Sequence, residues 1–253
     1  MRLKDKVAIV TGGGAGIGQA IAKRYAREGA RVVVAEISPE RGESTVRPIQ
    51  QAGGEAIFIQ TDVAAEEQVR GLVEAVRTRF GRIDILVNNA AILIARGESR
   101  AHEITNEVWD STLNVNLRGY WLCSKYTIPC MLKQGGGAII FIASRTGIRG
   151  FTRLAAYSAS KGAVFALMRS MAVDYAPDRI RVNAIVPGTM DTPMNAEEFS
   201  DPEARKKSVA KIPAGRLGVG DDIAGLATFL ASDDAAFCLG GVYMADGGAD
   251  NAA

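Results

Sequence analysis

Histidine is almost missing from this sequence. His102 is the only one in 253 residues, and it lies in a polar stretch where it cannot build a histidine-based centre alone. Cysteine is scarce too: Cys123, Cys130 and Cys238 are odd in number and carry no Cys-x-x-Cys or His-rich spacing. That pattern predicts neither a structural zinc nor a disulfide framework, and no metal site is assigned. It predicts reduced, mostly buried thiols in a cytoplasmic protein. An excess of charge is lacking as well. Thirty Lys and Arg face 28 Asp and Glu, a net +2, too balanced for nucleic acid or an acidic membrane to be the main partner. No apolar run approaches the roughly 18 residues of a membrane span. The run Val7–Val10, behind the charged start Met1–Lys6, is too short for a secretion signal. Internal repeats and low-complexity tracts are also missing. What remains, 47% hydrophobic and 23% charged residues, is enough apolar material for a large core.

What is present is an alternation of short apolar runs and helical segments. Val7–Val10 reads as a buried strand and leads into Thr11-Gly12-Gly13-Gly14-Ala15-Gly16-Ile17-Gly18. Helical spacing follows at Ile17, Ala20, Ile21 and Tyr25, closed by Gly29. A strand, a glycine turn and a helix N-terminus make an anion site: backbone N–H groups and the helix dipole point at a phosphate, and the glycines let it approach. The spacing is Gly-x-x-x-Gly-x-Gly, not G-x-G-x-x-G. A second strand, Arg31–Ala35, ends in Glu36, twenty positions after Gly16, where a carboxylate accepts hydrogen bonds from an adenosine ribose. The carboxylate would repel a 2′-phosphate, and Ala15 and Ile37 supply no cation for one. NAD is therefore expected over NADP.

The alternation continues with a helix over Pro39–Gln51, a strand over Glu55–Gln60 followed by Asp62, and a helix over Ala65–Phe80 closed by Gly81. The strand Ile83–Val87 runs into Asn88-Asn89-Ala90-Ala91. Thr105–Leu132 is a long helical stretch containing Asn116, and Gly136–Ala143 is a strand leading to Ser144. A helix over Ala155–Ala176, a strand over Arg179–Val186, a helix over Asp221–Ala231 and a seventh strand over Gly240–Ala245 complete the pattern. Strands separated by helices of 10–15 residues predict right-handed βαβ units and a parallel sheet, with ligands beyond the carboxyl ends of the strands. Gly12, Glu36, Asp62 and Asn88 all fall at that edge. Pro193–Pro213 is polar, flanked by prolines, and too long for an ordinary connection, as functional lids and disordered segments are. No linker is evident, so a single domain is expected over 1–253, with residues 189–213 as a substrate lid.

Tyr157 and Lys161 stand four apart near the start of the predicted helix, so phenol and ammonium emerge side by side. A free tyrosine has a pKa of about 10, and acid–base work near neutral pH requires a shift of about 2–3 units, or about 3–4 kcal/mol. An exposed ion pair supplies at most about 1 kcal/mol. The pair is useful only in a desolvated pocket with further positive charge nearby.

Taken in order, Thr-Gly-x-x-x-Gly-x-Gly at 11–18, Asn-Asn-Ala at 88–90, Asn116, Ser144 thirteen residues before Tyr157, Tyr-x-x-x-Lys at 157–161 and Pro-Gly at 187–188 resemble the short-chain dehydrogenase/reductase family. The resemblance covers nearly the whole chain; Ala91 departs from it, where many members carry glycine. It implies an α/β fold, a Rossmann-type doubly wound sandwich with a seven-stranded parallel sheet flanked by helices on both faces. It implies Tyr157 as general acid/base, Lys161 lowering its pKa and holding the nicotinamide ribose, Ser144 donating to the substrate oxygen, and Asn116 holding a water that links Lys161 to solvent. For the cofactor it implies Gly12, Gly16, Ile17 and Gly18 at the pyrophosphate, Glu36 at the adenosine ribose, Asp62 and Val63 at the adenine, Asn88 under the ribose, and Pro187, Gly188 and Thr192 on the nicotinamide side. A homotetramer is implied too.

The substrate is read from the loops around that site. Arg96, Arg100, Arg145, Arg149 and Arg153 crowd them, and an arginine in the pocket suits a carboxylate. Arg96, Ser144, Arg145, Arg149 and Tyr157 are the candidate substrate residues. The expected reaction is NAD-dependent interconversion of a secondary alcohol and a ketone on a small polar substrate: a sugar, a polyol or a sugar-derived hydroxy or keto acid. A ketoacyl-thioester reductase is the alternative enzyme, and a non-catalytic NAD-binding structural or sensor protein the alternative of another kind.

Overall fold

Val7–Thr11 (β1) is buried at every position, and its side chains divide between two cores. Val7 and Ile9 join one apolar cluster while Ala8 and Val10 join another, the period-two alternation of a strand covered on both faces. The computed structural model describes residues 1–94 and 100–250. After β1 come α1 (Gly16–Arg27), β2 (Arg31–Glu36), α2 (Pro39–Gln51), β3 (Ala56–Gln60), α3 (Glu66–Phe80) and β4 (Ile85–Asn88). The second half holds α4 (Asn106–Leu113), α5 (Gly119–Gln134), β5 (Gly137–Ile142), α6 (Ala155–Tyr175), β6 (Ile180–Pro187), two short helices α7 (Ala196–Phe199) and α8 (Pro202–Val209), then α9 (Gly220–Ala231) and β7 (Val242–Ala245). The seven strands form one parallel sheet in the order β3-β2-β1-β4-β5-β6-β7. One core lies between the sheet and α3, α5 and α6; the other lies under α1, α2 and α9.

Strand order reverses between β1 and β4, which opens a crevice at their carboxyl ends. Thr11 ties the two strands there. Its Oγ1 donates to the Val87 carbonyl (3.1 Å) and accepts from the N–H groups of Asn89 (2.9 Å) and Ala90 (3.2 Å).

The structure departs from the sequence-based expectations in a few places, each with a local cause. β4 begins at Ile85, because the Asp84 carboxylate turns in to accept from the Val7 N–H (2.8 Å) and to pair with Arg82. β7 begins at Val242; Gly240 and Gly241 each keep one backbone bond to β6, but Gly240 is left-handed (φ 65°) and the Gly241 N–H goes to the Asn183 side chain (3.0 Å) instead of a strand carbonyl. The helical stretch around Asn116 is broken by a widened π-helical turn over Asn114–Arg118, a distortion common at functional sites. There Asn116 clamps the chain after β4: Oδ1 accepts from the Ile92 N–H (2.8 Å) and Nδ2 donates to the Ile92 carbonyl (3.0 Å). The 193–213 insertion is ordered. It folds into α7 and α8 and buries Phe199 and Ile212 with Leu217 in a small core of its own. Among the described residues no helix is long and apolar enough to cross a membrane.

Candidate active site

The glycine turn after β1 builds the first half of the site. Gly18 has no room for a side chain: a Cβ would lie 2.2 Å from the Gly12 carbonyl oxygen, so α1 packs onto the turn only as glycine. Ala15, at the N-cap of α1, has no side chain able to bond the first-turn N–H groups, and no acidic residue stands there. These uncapped donors face a cavity of about 410 Å³ lined by Gly12, Gly16, Ile17, Glu36, Asp62, Val63 and Thr192, among others. Free N–H groups at a positive helix end suit a pyrophosphate.

Glu36 is 7% exposed. Oε2 accepts from the Gly14 N–H (3.2 Å), and Oε1 from those of Ile37 (3.1 Å) and Ser38 (3.2 Å). A carboxylate has about four acceptor sites, so one remains for a ribose hydroxyl. The residues present therefore fit a dinucleotide. Two features differ from expectation. Asn88 is wholly buried and donates to Ser124 Oγ (3.1 Å), away from both cavities; its neighbour Asn89 lines them instead, fixed by bonds from Nδ2 to the carbonyls of Thr11 (2.9 Å) and Gly12 (3.1 Å). Gly18 shapes the turn rather than lining the cavity. A cation is also present where the sequence showed none at positions 15 and 37. Arg41, in the first turn of α2, lines the Glu36 end of the cavity, and no hydrogen bond or ion pair engages its guanidinium among the described residues. Its distance of five residues from Glu36, just inside a helix start, was the available signal.

The second half is an open cleft of about 1450 Å³ that shares Ile17, Asn89, Ala91, Thr192 and Met194 with the first cavity. Ser144, Tyr157, Lys161, Pro187 and Gly188 all lie on it. Lys161 is 1% exposed, with Nζ donating to the Ile142 carbonyl (3.0 Å) and to Tyr120 Oη (3.1 Å). Burial pushes its pKa down to about 7. The ammonium sits 5.8 Å from the centre of the Tyr157 ring, close enough for a cation–π contact. Ser144 Oγ accepts from the N–H (3.2 Å) and the hydroxyl (3.0 Å) of Thr146. Its turn rests directly on α6, since a Cβ on Gly147 would lie 2.6 Å from the Lys161 carbonyl carbon and oxygen. Asn116 is fully buried and donates from Nδ2 to Ser160 Oγ (3.2 Å), one residue before Lys161. The structure thus brings Ser144, Tyr157 and Lys161 to one cleft and sets Asn116 behind them. Tyr120 and Gly147 were missed by sequence reasoning. Tyr120 stands four after Asn116, a spacing that shares a helix face; Gly147 carried no signal beyond its nearness to Ser144.

Two of the candidate substrate arginines reach the cleft. Arg145 lines it, donating to Thr189 Oγ1 (2.9 Å) and stacked over Phe151. Arg149 also lines it but is already occupied: Nε pairs with Asp250 Oδ1 (3.2 Å), and Nη2 donates to the Asp250 carbonyl. Its charge is answered within the chain, so a substrate carboxylate would have to share it with Asp250. Arg96 lies outside the described residues, and Arg153 is not part of the cleft wall. The insertion adds Glu197, Glu198 and Lys211 to the lining. Among the described residues no group of three His, Cys, Asp or Glu side chains converges as a metal site.

Residues 12–250 match the profile of a family described as enoyl-(acyl carrier protein) reductase. An uncharacterized oxidoreductase of Thermotoga maritima is 43% identical over 254 residues, spanning 98% of each chain. The 3β-hydroxysteroid dehydrogenase 1 of Eggerthella lenta is 42% identical over 248 residues, covering 97% of this chain and 94% of its own. A crystal structure from Beutenbergia cavernae, described as a candidate NAD(P)-dependent gluconate 5-dehydrogenase with NADP bound at low occupancy, superposes with a TM-score of 0.92. It is 38% identical and covers 98% of both chains. Fold, site and relatives define an oxidoreductase that binds a nicotinamide dinucleotide and acts on alcohol or keto groups. The chain belongs to the short-chain dehydrogenase/reductase family.

Proposed function

We propose that this enzyme uses NAD to interconvert a secondary alcohol and a ketone on a small polar substrate: a sugar, a polyol or a sugar-derived hydroxy or keto acid. The observation that carries the reading is a buried lysine beside Tyr157, in a cleft that also holds Ser144 and runs on to Glu36. In alcohol oxidation the Tyr157 phenolate takes the hydroxyl proton as the carbinol C–H bond breaks, and the carbonyl forms with Ser144 donating to its oxygen. The bound nicotinamide supplies the hydride acceptor and, in its oxidised form, a positive charge. Lys161 keeps Tyr157 ionisable and would hold the cofactor ribose. Arg145 and Lys211 are the cations a hydroxy acid could meet in the cleft, beside the carboxylates of Glu197 and Glu198 on the insertion, while Asp250 answers the charge of Arg149. Residues 189–213 cover the substrate as a lid, the working unit is a homotetramer, and the three unpaired cysteines suit the cytoplasm.

The test is a screen of sugars, polyols and hydroxy acids for NAD reduction, followed by Tyr157→Phe on the best substrate. The variant is expected to lose most activity and still bind NAD; full activity would overturn the mechanism, whereas NAD binding with no turnover of any substrate by the wild type would favour a structural or sensor role. Arg145→Ala is expected to raise KM for hydroxy acids at least tenfold, and an unchanged KM removes the carboxylate. A second reading has its own support. Arg41 is a cation suited to a 2′-phosphate, and the matched family description points to acyl carrier protein substrates, so an NADPH-dependent ketoacyl-thioester reductase is the competing enzyme. A strong preference for NADPH in wild type, abolished in Arg41→Ala, would select it.

A further inference from the structure

We propose that Tyr120 is a positioning residue for Lys161: its phenol oxygen, fixed by the Ile142 carbonyl, holds the lysine as an ammonium beside Tyr157. The inference rests on the reading of Tyr157 and Lys161 as the acid–base pair.

The hydrogen-bond inventory fixes the direction of each bond. A phenol has one proton to give, and Tyr120 gives it to the Ile142 carbonyl at 3.0 Å. Its lone pairs are then left to accept, and Lys161 Nζ donates to them at 3.1 Å. The same Nζ donates to the Ile142 carbonyl at 3.0 Å. An ammonium has three N–H groups. Two are spent on this triangle, and the third is left for the side of the cleft where Tyr157 and the cofactor ribose belong. The Tyr120 ring adds to the effect, with its centre 4.9 Å from Nζ against 5.8 Å for that of Tyr157. Stacking on Phe141, with centroids 5.6 Å apart and planes 15° from parallel, keeps the ring in place.

The surroundings leave this task to Tyr120. The titratable groups that face Lys161 are Tyr120 from α5 and Tyr157 from its own helix. β5 presents the Ile142 carbonyl, and the Ser144 turn presents Gly147 against the lysine backbone. The π-helical turn offers Asn116, which is neutral, while the charge of Arg118 there is taken by Glu66. Glu107 and Asp110 on α4 make no ion pair with the lysine, and among the described residues no carboxylate comes within ion-pair distance of it. Cys123 lies beside Tyr120, but burial pushes its thiol up to about 12, so it stays neutral. With no counter-ion, burial disfavours the ammonium, and the two oxygens oppose that. Burial also drives the Tyr120 phenol well above its ordinary range. It therefore remains a donor to Ile142 and does not compete with Tyr157 as a base.

Tyr120→Phe in the full chain removes the oxygen and keeps the ring and its stack. Lys161 is followed by NMR in 13C-lysine-labelled protein, its signal assigned by loss in Lys161→Met. Its titration midpoint is expected to fall by about one pH unit in Tyr120→Phe, the size of one lost hydrogen bond to a charged group. Less ammonium at a given pH means that Tyr157 ionises later, so the rising limb of alcohol oxidation is expected to move up by a similar amount, with the cofactor Kd within about threefold of wild type. Tyr120→Leu, which loses ring and oxygen, is expected to shift Lys161 at least as far. An unmoved Lys161 titration in both variants, or a kcat reduced by one factor at every pH, would overturn the proposal. Because the NMR readout needs no turnover, an active Tyr157→Phe enzyme would sink the acid–base reading while leaving a measured coupling of Tyr120 to Lys161 standing.

Discussion

Lys161 works at the expense of the fold that surrounds it. Its ammonium is buried without a carboxylate, and its pKa falls from an ordinary 10.5 to about 7. Below pH 7 both folded and unfolded chains hold the proton, and the burial penalty is present in full. Between pH 7 and 10.5 the unfolded chain binds more protons than the folded one, so stability contributed through this group rises with pH. Lys161→Met, similar in length and apolar, is expected to abolish activity and to stabilise the protein by about 1–3 kcal/mol below neutrality. That gain should shrink as the pH approaches 10. Denaturant unfolding at pH 6.5 and 9.5 checks it; an equal or larger gain at the higher pH contradicts the assigned burial. At this scale the sequence showed which residues face the cleft only where a short motif held them together. Tyr157 and Lys161 are legible because four residues of helix fix their relation. The Tyr120 contact with Nζ and the Arg149 pairing with Asp250 join distant segments, which no local spacing encodes, whereas Arg41 stands five residues from Glu36 and only the reach of its side chain into the cavity was hidden.

Among the elements, the turn after β5 determines whether the site is assembled. Its N-cap is Ser144, and it touches α6 at Gly147 with no space for a methyl group. Gly147→Val would drive the turn off the Lys161 backbone and carry Ser144 with it. A displacement of about 1 Å costs on the order of a hundredfold in rate, so kcat is expected to fall by about that factor while the cofactor Kd stays near wild type. Steady-state kinetics beside a fluorescence titration of NADH tests this, and loss of both in a folded variant would show that the turn supports the cofactor cavity as well. Most elements were legible. α2 is found at the predicted bounds, since Ser38 accepts from the Arg41 N–H and Pro39 starts the helix. The π-helical turn was not, because a widened turn depends on the Ile92 backbone reaching Asn116 from another segment. The helices of the insertion were hidden by their polarity: α8 has no buried residue, and the anchors Phe199 and Ile212 lie outside it.

For the whole molecule, the parallel sheet was the most legible feature, because strands covered on both faces are written as unbroken apolar runs and every crossover is a helix. The crevice between β1 and β4 follows from their order, which the sequence supported only through the family resemblance. Several large apolar side chains remain outside both cores. Phe237 is 99% exposed and Val173 on α6 is 77% exposed, with Trp121 and Leu132 on α5 and Met244 on β7 also at the surface. In the homotetramer proposed for this chain, these side chains are the candidates for contact between subunits. Light scattering on the eluted protein is expected to give a tetramer of the 26.8 kDa chain. Val173→Asp with Phe237→Asp should yield smaller species, and a monomeric wild type would remove the assembly.

Asp250 hangs from the turn after β7, held by its N–H to Asp246 Oδ2 at 2.7 Å and paired with Arg149 of the cleft lining. No strand ladder or helix passes through it. The charge that one wall shows to a substrate is thus decided in a stretch where folding imposes little, while the catalytic tyrosine and lysine sit where folding imposes most. Substitutions in this tail or in the 193–213 insertion can therefore change the charge that lines the cleft without touching Tyr157 or Lys161.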